Sequence, residues 1–222
     1  MLAQQLNLPE TACLSIEAPQ SLLDLGGFHW GDDIIFDSND GGLDPDAGFK
    51  LSTAMLKGIV EEDVLGKCGF KGREVVVLGF GQGGMAALSL AGRSCSTDAV
   101  LLRPATDACV VAIHQLPKSI KEEAELGGII SIGGALPAEA PAALVNKCKT
   151  PILVCAGSSD SIVTPSVEEK LKHVFESVEV KRYRRPGDSM PRNRDEMMPI
   201  MQFFARRLRS RKGVPEGSVE IG

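Results

Sequence analysis

Residues 74–84 are Glu-Val-Val-Val-Leu-Gly-Phe-Gly-Gln-Gly-Gly. The unbroken run of valines and leucine predicts a strand that is buried on both faces of a parallel sheet. The glycines at positions 79, 81, 83 and 84 predict a tight turn in which backbone segments approach closely. The apolar stretch Met85–Gly92 then predicts a helix. The segment is therefore interpreted as a strand, a glycine turn and a helix in succession.

The rest of the chain repeats this alternation of strands and helices. Continuous apolar strands that alternate with amphipathic helices are typical of a mainly parallel sheet with helices on both faces, so we expect an α/β fold. In such sheets ligands bind beyond the carboxyl ends of the strands, here the loops after Leu78, Val154 and Tyr183. The expected strands are Thr11–Ile16, Glu74–Gly79, Asp98–Leu102, Gly127–Gly133, Thr150–Gly157 and Val178–Tyr183. The expected helices are Phe49–Leu65, Met85–Gly92, Ser166–Ser177 and Glu196–Arg209.

The length of 222 residues favours one domain, which we place at residues 1–212, followed by a loose tail at 213–222. Hydrophobic residues make up 43% of the chain and charged residues 24%, which excludes wholesale disorder. No apolar stretch is long enough for a transmembrane segment, and the first residues lack the pattern of a signal peptide. We therefore expect a cytoplasmic protein.

Two mechanisms use a glycine turn between a strand and a helix. One is dinucleotide binding, because Gly79, Gly81 and Gly84 satisfy the pattern G-x-G-x-x-G. Arg103, which ends the next expected strand, would then bind the 2′-phosphate of NADP, and the chain would be an oxidoreductase. The other mechanism is the nucleophile elbow of α/β-hydrolases, G-x-S-x-G, with Gly81 in the place of the serine.

The elbow interpretation is supported by a resemblance to a known family. Residues 78–84, Leu-Gly-Phe-Gly-Gln-Gly-Gly, resemble the Gly-Phe-Ser-Gln-Gly-Gly elbow of the phospholipase/carboxylesterase family, which includes acyl-protein thioesterases. Other segments resemble that family in the same order along the chain, over roughly residues 11–209. They are the aromatic segment at 28–30, a Ser-Gly-x-Leu-Pro-like loop at 131–137, the strand and aspartate turn at 151–160, and the Gly-x-His-Ser-like segment at 186–190. The resemblance implies an α/β-hydrolase-like fold.

The resemblance also implies a catalytic triad that this chain does not retain. Gly81 stands at the nucleophile position and Asp188 at the general-base position, so that only the orienting acid, Asp160, matches. Ala156 replaces the histidine that begins the family's His-Gly-x-x-Asp turn. Glycine has no side-chain oxygen, and a carboxylate with an ordinary pKa near 4 is a poor general base. The backbone N–H of Gln82 would still supply one oxyanion donor.

The family's first strand and its His-Gly-x-Gly loop, which supplies the second oxyanion donor, have no counterpart in this sequence. We therefore expect the sheet to lack its N-terminal strand or strands. These departures predict a degenerate carboxylesterase or thioesterase relative that binds an acyl ligand or a protein partner without hydrolysing it. Residual ester or thioester hydrolysis is the alternative, and the NADP-dependent oxidoreductase is a second alternative.

Neither a metal nor a cofactor is expected, and no nucleic-acid partner either. The six cysteines form no C-x-x-C pair and the three histidines share no ligand spacing. Most of the cysteines lie among apolar residues, so we expect buried free thiols. Cys155 in particular is expected to be buried within a strand and inert.

The net charge of −5 conceals a basic C-terminal segment. Residues 181–212 contain eleven Lys/Arg and three Asp/Glu, whereas the rest of the chain contains thirteen and twenty-six. Such a segment attracts an acidic partner, a phosphate group or an anionic membrane surface. The alternative is a solvated final helix whose arginines suit the negative end of the helix dipole.

Overall fold

The sheet predicted from the strand pattern is present. The computed structural model describes Leu6, Leu8 and residues 11–22, 26–36, 41–42, 44–95 and 125–208. Within these residues four strands form one sheet in sequence order, and each neighbouring pair is parallel. They are β3 (Val76–Phe80), β4 (Gly128–Ile132), β5 (Ile152–Ala156) and β6 (Val178–Arg182). The short strands β1 (Gln20–Ser21) and β2 (Phe28–His29) form a separate antiparallel pair.

Four α-helices flank this part of the sheet: α1 (Lys50–Gly58), α2 (Gln82–Cys95), α3 (Pro165–Val174) and α4 (Arg194–Arg207). A π-helix (Ile59–Lys67) continues α1, and a 3-10 turn (Gly72–Glu74) precedes β3. The side chain of Thr164 accepts a hydrogen bond from the Val167 N–H at the start of α3. Asn193 does the same for the Glu196 N–H at the start of α4. Both are ordinary N-caps, which fix where these helices begin.

Alternate residues of the central strands enter two separate hydrophobic clusters, one on each face of the sheet. On β4, Ile129 belongs to the cluster under α1, α2 and α3, whereas Ile130 belongs to the cluster under α4. On β5, Val154 and Leu153 divide in the same way. Because both faces are covered, β4 and β5 are fully buried, as their unbroken apolar sequence predicts. The same prediction is wrong for β3, which is only half-buried and ends in an exposed residue, because it lies at one edge of the described sheet.

The structure corrects some predicted elements. Thr11–Ile16 forms no strand: these residues are irregular and mostly exposed, so their apolar members have no sheet to join. The helix predicted over Phe49–Leu65 is split into α1 and the π-helix. The strand predicted at Asp98–Leu102 and the tail at 213–222 lie outside the described residues. The single-domain boundary and the missing N-terminal strands stay predictions; in the described sheet β3 occupies one edge.

The four cysteines whose side chains the structure describes are of three kinds. Cys155 is fully buried on β5 and free, as expected. Cys13 and Cys68 are free but exposed, so the expectation of buried thiols is wrong for both. Cys148 is disulfide-bonded rather than free. None of the described helices is long and apolar enough to cross a membrane. Cytoplasmic residence stays a prediction.

Candidate functional site

The turn between β3 and α2 has the geometry of an elbow. Gly81 has a φ of +54°, a backbone conformation that favours glycine. Its N–H donates to the Ile132 carbonyl at 2.9 Å, and its carbonyl accepts from the N–H groups of Gly84 and Met85 at 2.9 and 3.1 Å. A Cβ added to Gly81 would meet no atom within 4 Å. The position that the resemblance assigns to the nucleophile therefore faces open space.

The neighbouring glycines are required by close packing around that turn. A Cβ on Gly79 would lie 2.2 Å from the Gly83 carbonyl oxygen, so strand and helix could not approach as they do. A Cβ on Gly84 would lie 2.4 Å from Ser131 Oγ. Ser131 itself is fully buried, and its hydroxyl donates to the Gly134 carbonyl at 2.9 Å. This hydroxyl is a packing element beside the elbow and is not available as a nucleophile.

The segment that carries the aromatic residues lies against the elbow. The Gln82 Oε1 atom accepts a hydrogen bond from the backbone N–H of Trp30 at 3.2 Å. Its Nε2 atom donates to the Pro45 carbonyl at 3.4 Å. His29 is buried and lines a cavity of about 20 Å³ together with Gln82. The side chain of Gln82 therefore joins two parts of this segment. As the first residue of α2, Gln82 has a backbone N–H without an intrahelical partner, as an oxyanion donor requires.

Asp188 is held by the turn that follows β5. Its Oδ1 atom accepts from the Gly157 N–H and its Oδ2 atom from the Ile162 N–H, both at 2.9 Å. Its Cβ also lies 2.5 Å from where a Cβ on Gly133 would be, and Gly133 has a φ of +62°. Both carboxylate oxygens therefore hold backbone N–H groups of the neighbouring turn. The sequence did not predict this role for Asp188.

Asp160 lies on the turn that Asp188 holds. It is exposed and has a φ of +52°, the one positive φ among the described non-glycine residues. Its Oδ2 atom accepts from Ser159 Oγ at 3.4 Å, and its side chain forms no other hydrogen bond or ion pair with the described residues. A shallow cavity of about 360 Å³ adjoins it, with Glu168 and Arg182 in the lining. The carboxylate is therefore present, but neither of the two described histidines, His29 and His173, forms a hydrogen bond or ion pair with it.

Two arginines that the sequence analysis missed fix these turns. Arg182 donates to the carbonyls of Gly157 and Val163 at 3.2 and 2.6 Å, and it pairs with Glu168. Arg185 forms a two-point ion pair with Glu196 of α4 at 3.0 and 3.1 Å. The hydrogen bond from Arg185 is the main reason why the pKa of Glu196 is lowered. These contacts depend on the folded chain, since each joins residues that are 11 to 25 positions apart.

Arg185 is further placed by the loop that carries Asp188. Its guanidinium donates to the Met190 carbonyl at 2.8 Å and to the Ser189 hydroxyl, and it lies 5.1 Å from the centroid of the Tyr183 ring. Burial raises the pKa of the Tyr183 hydroxyl, which lies beside the Cys155 thiol. The loop after β6 is thus fixed on one side by α4 and on the other by the Asp188 carboxylate.

The four residues proposed from the sequence meet at the carboxyl end of the sheet. Gly81 bonds to the last residue of β4, Gly133 after β4 touches Asp188, and Asp188 bonds the turn of Asp160. Gln82 follows Gly81 directly at the start of α2. The structure therefore brings Gly81, Gln82, Asp160 and Asp188 to the carboxyl ends of neighbouring strands, as parallel topology predicts.

Exposed apolar side chains surround the carboxyl end of the sheet. Phe80 at the end of β3 is 48% exposed, and Ile162 in the turn after β5 is 39% exposed. Ile35, which lines the small cavity with Gln82, and the adjacent Phe36 are 45% and 66% exposed. The arrangement can bind an apolar group. Among the described residues the nearest hydroxyl, that of Ser131, is bonded to the Gly134 carbonyl, and His29 is buried in the small cavity with Gln82. The described residues contain no group of three or more potential metal ligands.

Comparison with known proteins agrees with this geometry. Residues 1–98, which include the elbow, match the family model described as Phospholipase/Carboxylesterase. The fold is that of the α/β-hydrolases. No curated protein sequence matches the chain.

Solved structures give the same fold over most of the chain. The chain is similar to Arabidopsis thaliana SOBER1, with 20% identity over 93% of this chain and 90% of that one, and a TM-score of 0.55. It is similar to esterase PE8, with 19% identity over 86% and 76% and a TM-score of 0.54. It is also similar to acyl-protein thioesterase 2 of Zea mays, with 19% identity over 82% and 74% and a TM-score of 0.50. None of these matches points to a dinucleotide site.

Proposed function

We propose that this chain is a catalytically inactive relative of the carboxylesterases and acyl-protein thioesterases. In this proposal it binds an acyl group at the elbow and does not hydrolyse it. The supporting observation is the state of Asp188, whose two oxygens both accept backbone N–H bonds from the turn after β5. A general base must be free to take a proton from the nucleophile, and these oxygens are directed to another task.

The elbow residue supports the same conclusion. Gly81 offers no side-chain atom for covalent attack, and the αL conformation is unstrained for glycine. Triad members act as a unit, and the loss of any one typically lowers turnover by several powers of ten. With nucleophile and base positions both altered, Asp160 alone has no catalytic role in this proposal.

Ligand binding follows from what the elbow retains. The space beyond Gly81 is open, the N–H of Gln82 begins a helix of 14 residues, and Ile35 and Phe36 present apolar surface beside it. A carbonyl or carboxyl oxygen is attracted by a helix N-terminus, and an acyl chain gains from contact with exposed apolar side chains. The ligand class that suits both features is an acyl compound, with the acyl part of a partner protein as the other form.

Ester hydrolysis and covalent labelling test the inactive state. The purified chain is incubated with a fluorophosphonate probe and with p-nitrophenyl esters of short and long acyl chains. We expect no adduct and no hydrolysis above the buffer rate. Labelling or hydrolysis that is lost in Asp160→Ala would instead support residual ester or thioester hydrolysis, the alternative function.

Acyl binding is tested separately with a fluorescent fatty acid and displacement by unlabelled fatty acid. We expect saturable binding that weakens at least about tenfold when Ile35 and Phe36 are both changed to Asp, because a charge replaces apolar contact. Val145→Asp is the matched control, since Val145 is fully exposed in the loop before β5, at the opposite end of the strands. Equal binding by both variants would contradict an acyl site at the elbow.

A further inference from the structure

Beyond acyl binding, the distribution of cations at the carboxyl end of the sheet is unusual. The described part of the basic segment, residues 181–208, contains eight Lys/Arg and three Asp/Glu. Several of these cations have structural partners: Arg182 pairs with Glu168, Arg185 with Glu196, and Arg206 with Glu179. Arg207 lies over the Phe203 ring. Only part of the positive charge of the segment is therefore available to an outside partner.

Three arginines remain exposed on the connection between β6 and α4. Arg184 and Arg192 lie in that connection, and Arg194 is the first residue of α4. None of the ion pairs found among the described residues includes them. The exposed carboxylates on the connections after β5 and β6 and at the start of α4 are Asp160 and Asp195, fewer than the three arginines. A further exposed carboxylate, Asp33, lies beside Gln82 at the elbow.

Exposed apolar side chains accompany these arginines. Ile162 lies in the turn that Asp188 ties to the β6–α4 connection, and Phe80 ends β3 beside the elbow. They are 39% and 48% exposed. Because the four described strands are parallel, these connections all emerge at the same end of the sheet. Apolar side chains and unpaired cations therefore share one face of the molecule.

We propose that this face binds the surface of an anionic lipid bilayer. We define the docking face as Phe80, Ile162, Arg184, Arg192 and Arg194. Arginine forks suit lipid phosphates, and apolar tips gain by entering the boundary between headgroups and acyl chains. The five side chains come from three separate stretches of the chain, and none of them lines either of the two cavities described above, which would be the grooves for a peptide. A bilayer requires no such groove, and its negative potential attracts each cation.

Vesicle sedimentation tests this binding. The full chain is mixed with vesicles of phosphatidylcholine alone and with vesicles that contain about 30 mol% phosphatidylserine. We expect binding to the anionic vesicles only, with loss in high salt because the attraction is screened. Equal binding to both kinds of vesicle, or binding to neither, would overturn the proposal.

Two matched pairs of variants locate the face. Arg184→Gln with Arg192→Gln should lower the partition coefficient about 25-fold, at about fivefold for each cation. Lys147→Gln with Lys149→Gln removes the same charge from exposed positions just before β5, at the other end of the sheet, and should change it little. Likewise Phe80→Ser should weaken binding, whereas Val145→Ser should not. Equal loss in both members of either comparison would contradict a docking face at the carboxyl end.

An acidic protein surface is the competing partner, and the same variants separate it. If the chain bound soluble polyglutamate more tightly than anionic vesicles, the bilayer assignment would be overturned. Circular dichroism and urea unfolding of each variant confirm that it is folded before binding is compared. The vesicles contain no free fatty acid and no ester substrate, so this result is independent of acyl binding at the elbow.

Discussion

At the residue scale, close contacts fix the elbow: a Cβ on Gly79 or Gly84 would overlap the Gly83 carbonyl or the Ser131 hydroxyl. The need for glycine at Gly79 and Gly84 was predictable, because a strand that turns directly into a helix requires close approach. The role of Asp188 was not predictable. Its two hydrogen bonds reach residues 26 and 31 positions away, and no local pattern indicates such a distance.

Gly81→Ser tests the conformation of the elbow. The new side chain meets no atom within 4 Å, but the φ of +54° is unfavourable for any residue with a Cβ. We expect the free energy of unfolding to fall by about 1–3 kcal/mol, measured by urea denaturation. The substitution alone should give no ester hydrolysis, because Asp188 stands at the base position and both of its oxygens hold backbone N–H groups. Robust turnover by this single variant would contradict an inactive site.

Asp188→His tests the second altered position. A neutral histidine has one acceptor nitrogen and cannot accept from the Gly157 and Ile162 N–H groups together, so at least one backbone donor loses its partner. We expect a loss of about 1–3 kcal/mol in unfolding free energy and faster proteolysis within residues 157–163. Asp188→Asn, which keeps one acceptor oxygen, should have an unfolding free energy between those of the wild type and Asp188→His. If Asp188→His were as stable and as protease-resistant as the wild type, the structural role of the carboxylate would be wrong.

At the element scale, the connections after β5 and β6 support each other. Arg182 donates hydrogen bonds to carbonyls of the connection after β5, and Asp188 accepts from N–H groups of that connection. Arg185 joins the connection after β6 to α4. These hydrogen bonds and the ion pair therefore fix the conformation of both connections, although neither is helix or strand. The elements themselves were predictable, because β4 and β5 are unbroken apolar runs between helices. Thr11–Ile16 was not, because a short alternating stretch needs a neighbouring strand to become one.

The Arg185–Glu196 pair gives this arrangement a dependence on pH. Arg185 lowers the pKa of Glu196 from its ordinary value of 4.5, so the folded state binds the proton more weakly than the unfolded state. The pair therefore stabilises the fold above about pH 4.5, and this contribution is lost as the pH falls through the lowered pKa.

Urea unfolding across that range measures the effect. We expect the stability of Glu196→Gln to fall less steeply than that of the wild type between about pH 5 and pH 3. Glu176→Gln, at an exposed position that takes part in none of the ion pairs found among the described residues, is the control and should follow the wild-type profile. Identical slopes for Glu196→Gln and the wild type would show that the pair contributes nothing to acid sensitivity.

At the scale of the whole molecule, the sheet separates two cores, and the side chains at the centre of either core are reached only when the fold opens. Cys155 is fully buried on β5, in the cluster that includes Phe203 of α4. Burial raises the pKa of its thiol to about 11, so almost none of it is the reactive thiolate at neutral pH. Its modification therefore reports on opening of the fold rather than on local motion.

Iodoacetamide labelling followed by mass spectrometry measures that opening. Cys13 and Cys68 are exposed and should react in the folded protein, whereas Cys155 should react only when urea unfolds it. Phe203→Ala removes a fully buried ring from the same cluster and should cost about 3–5 kcal/mol. Because labelling of Cys155 passes through the open state, its rate should then rise by at least about 100-fold, while the rates of Cys13 and Cys68 stay the same. Labelling of Cys155 at the rate of Cys68 in the native protein would mean that the two clusters do not close over β5.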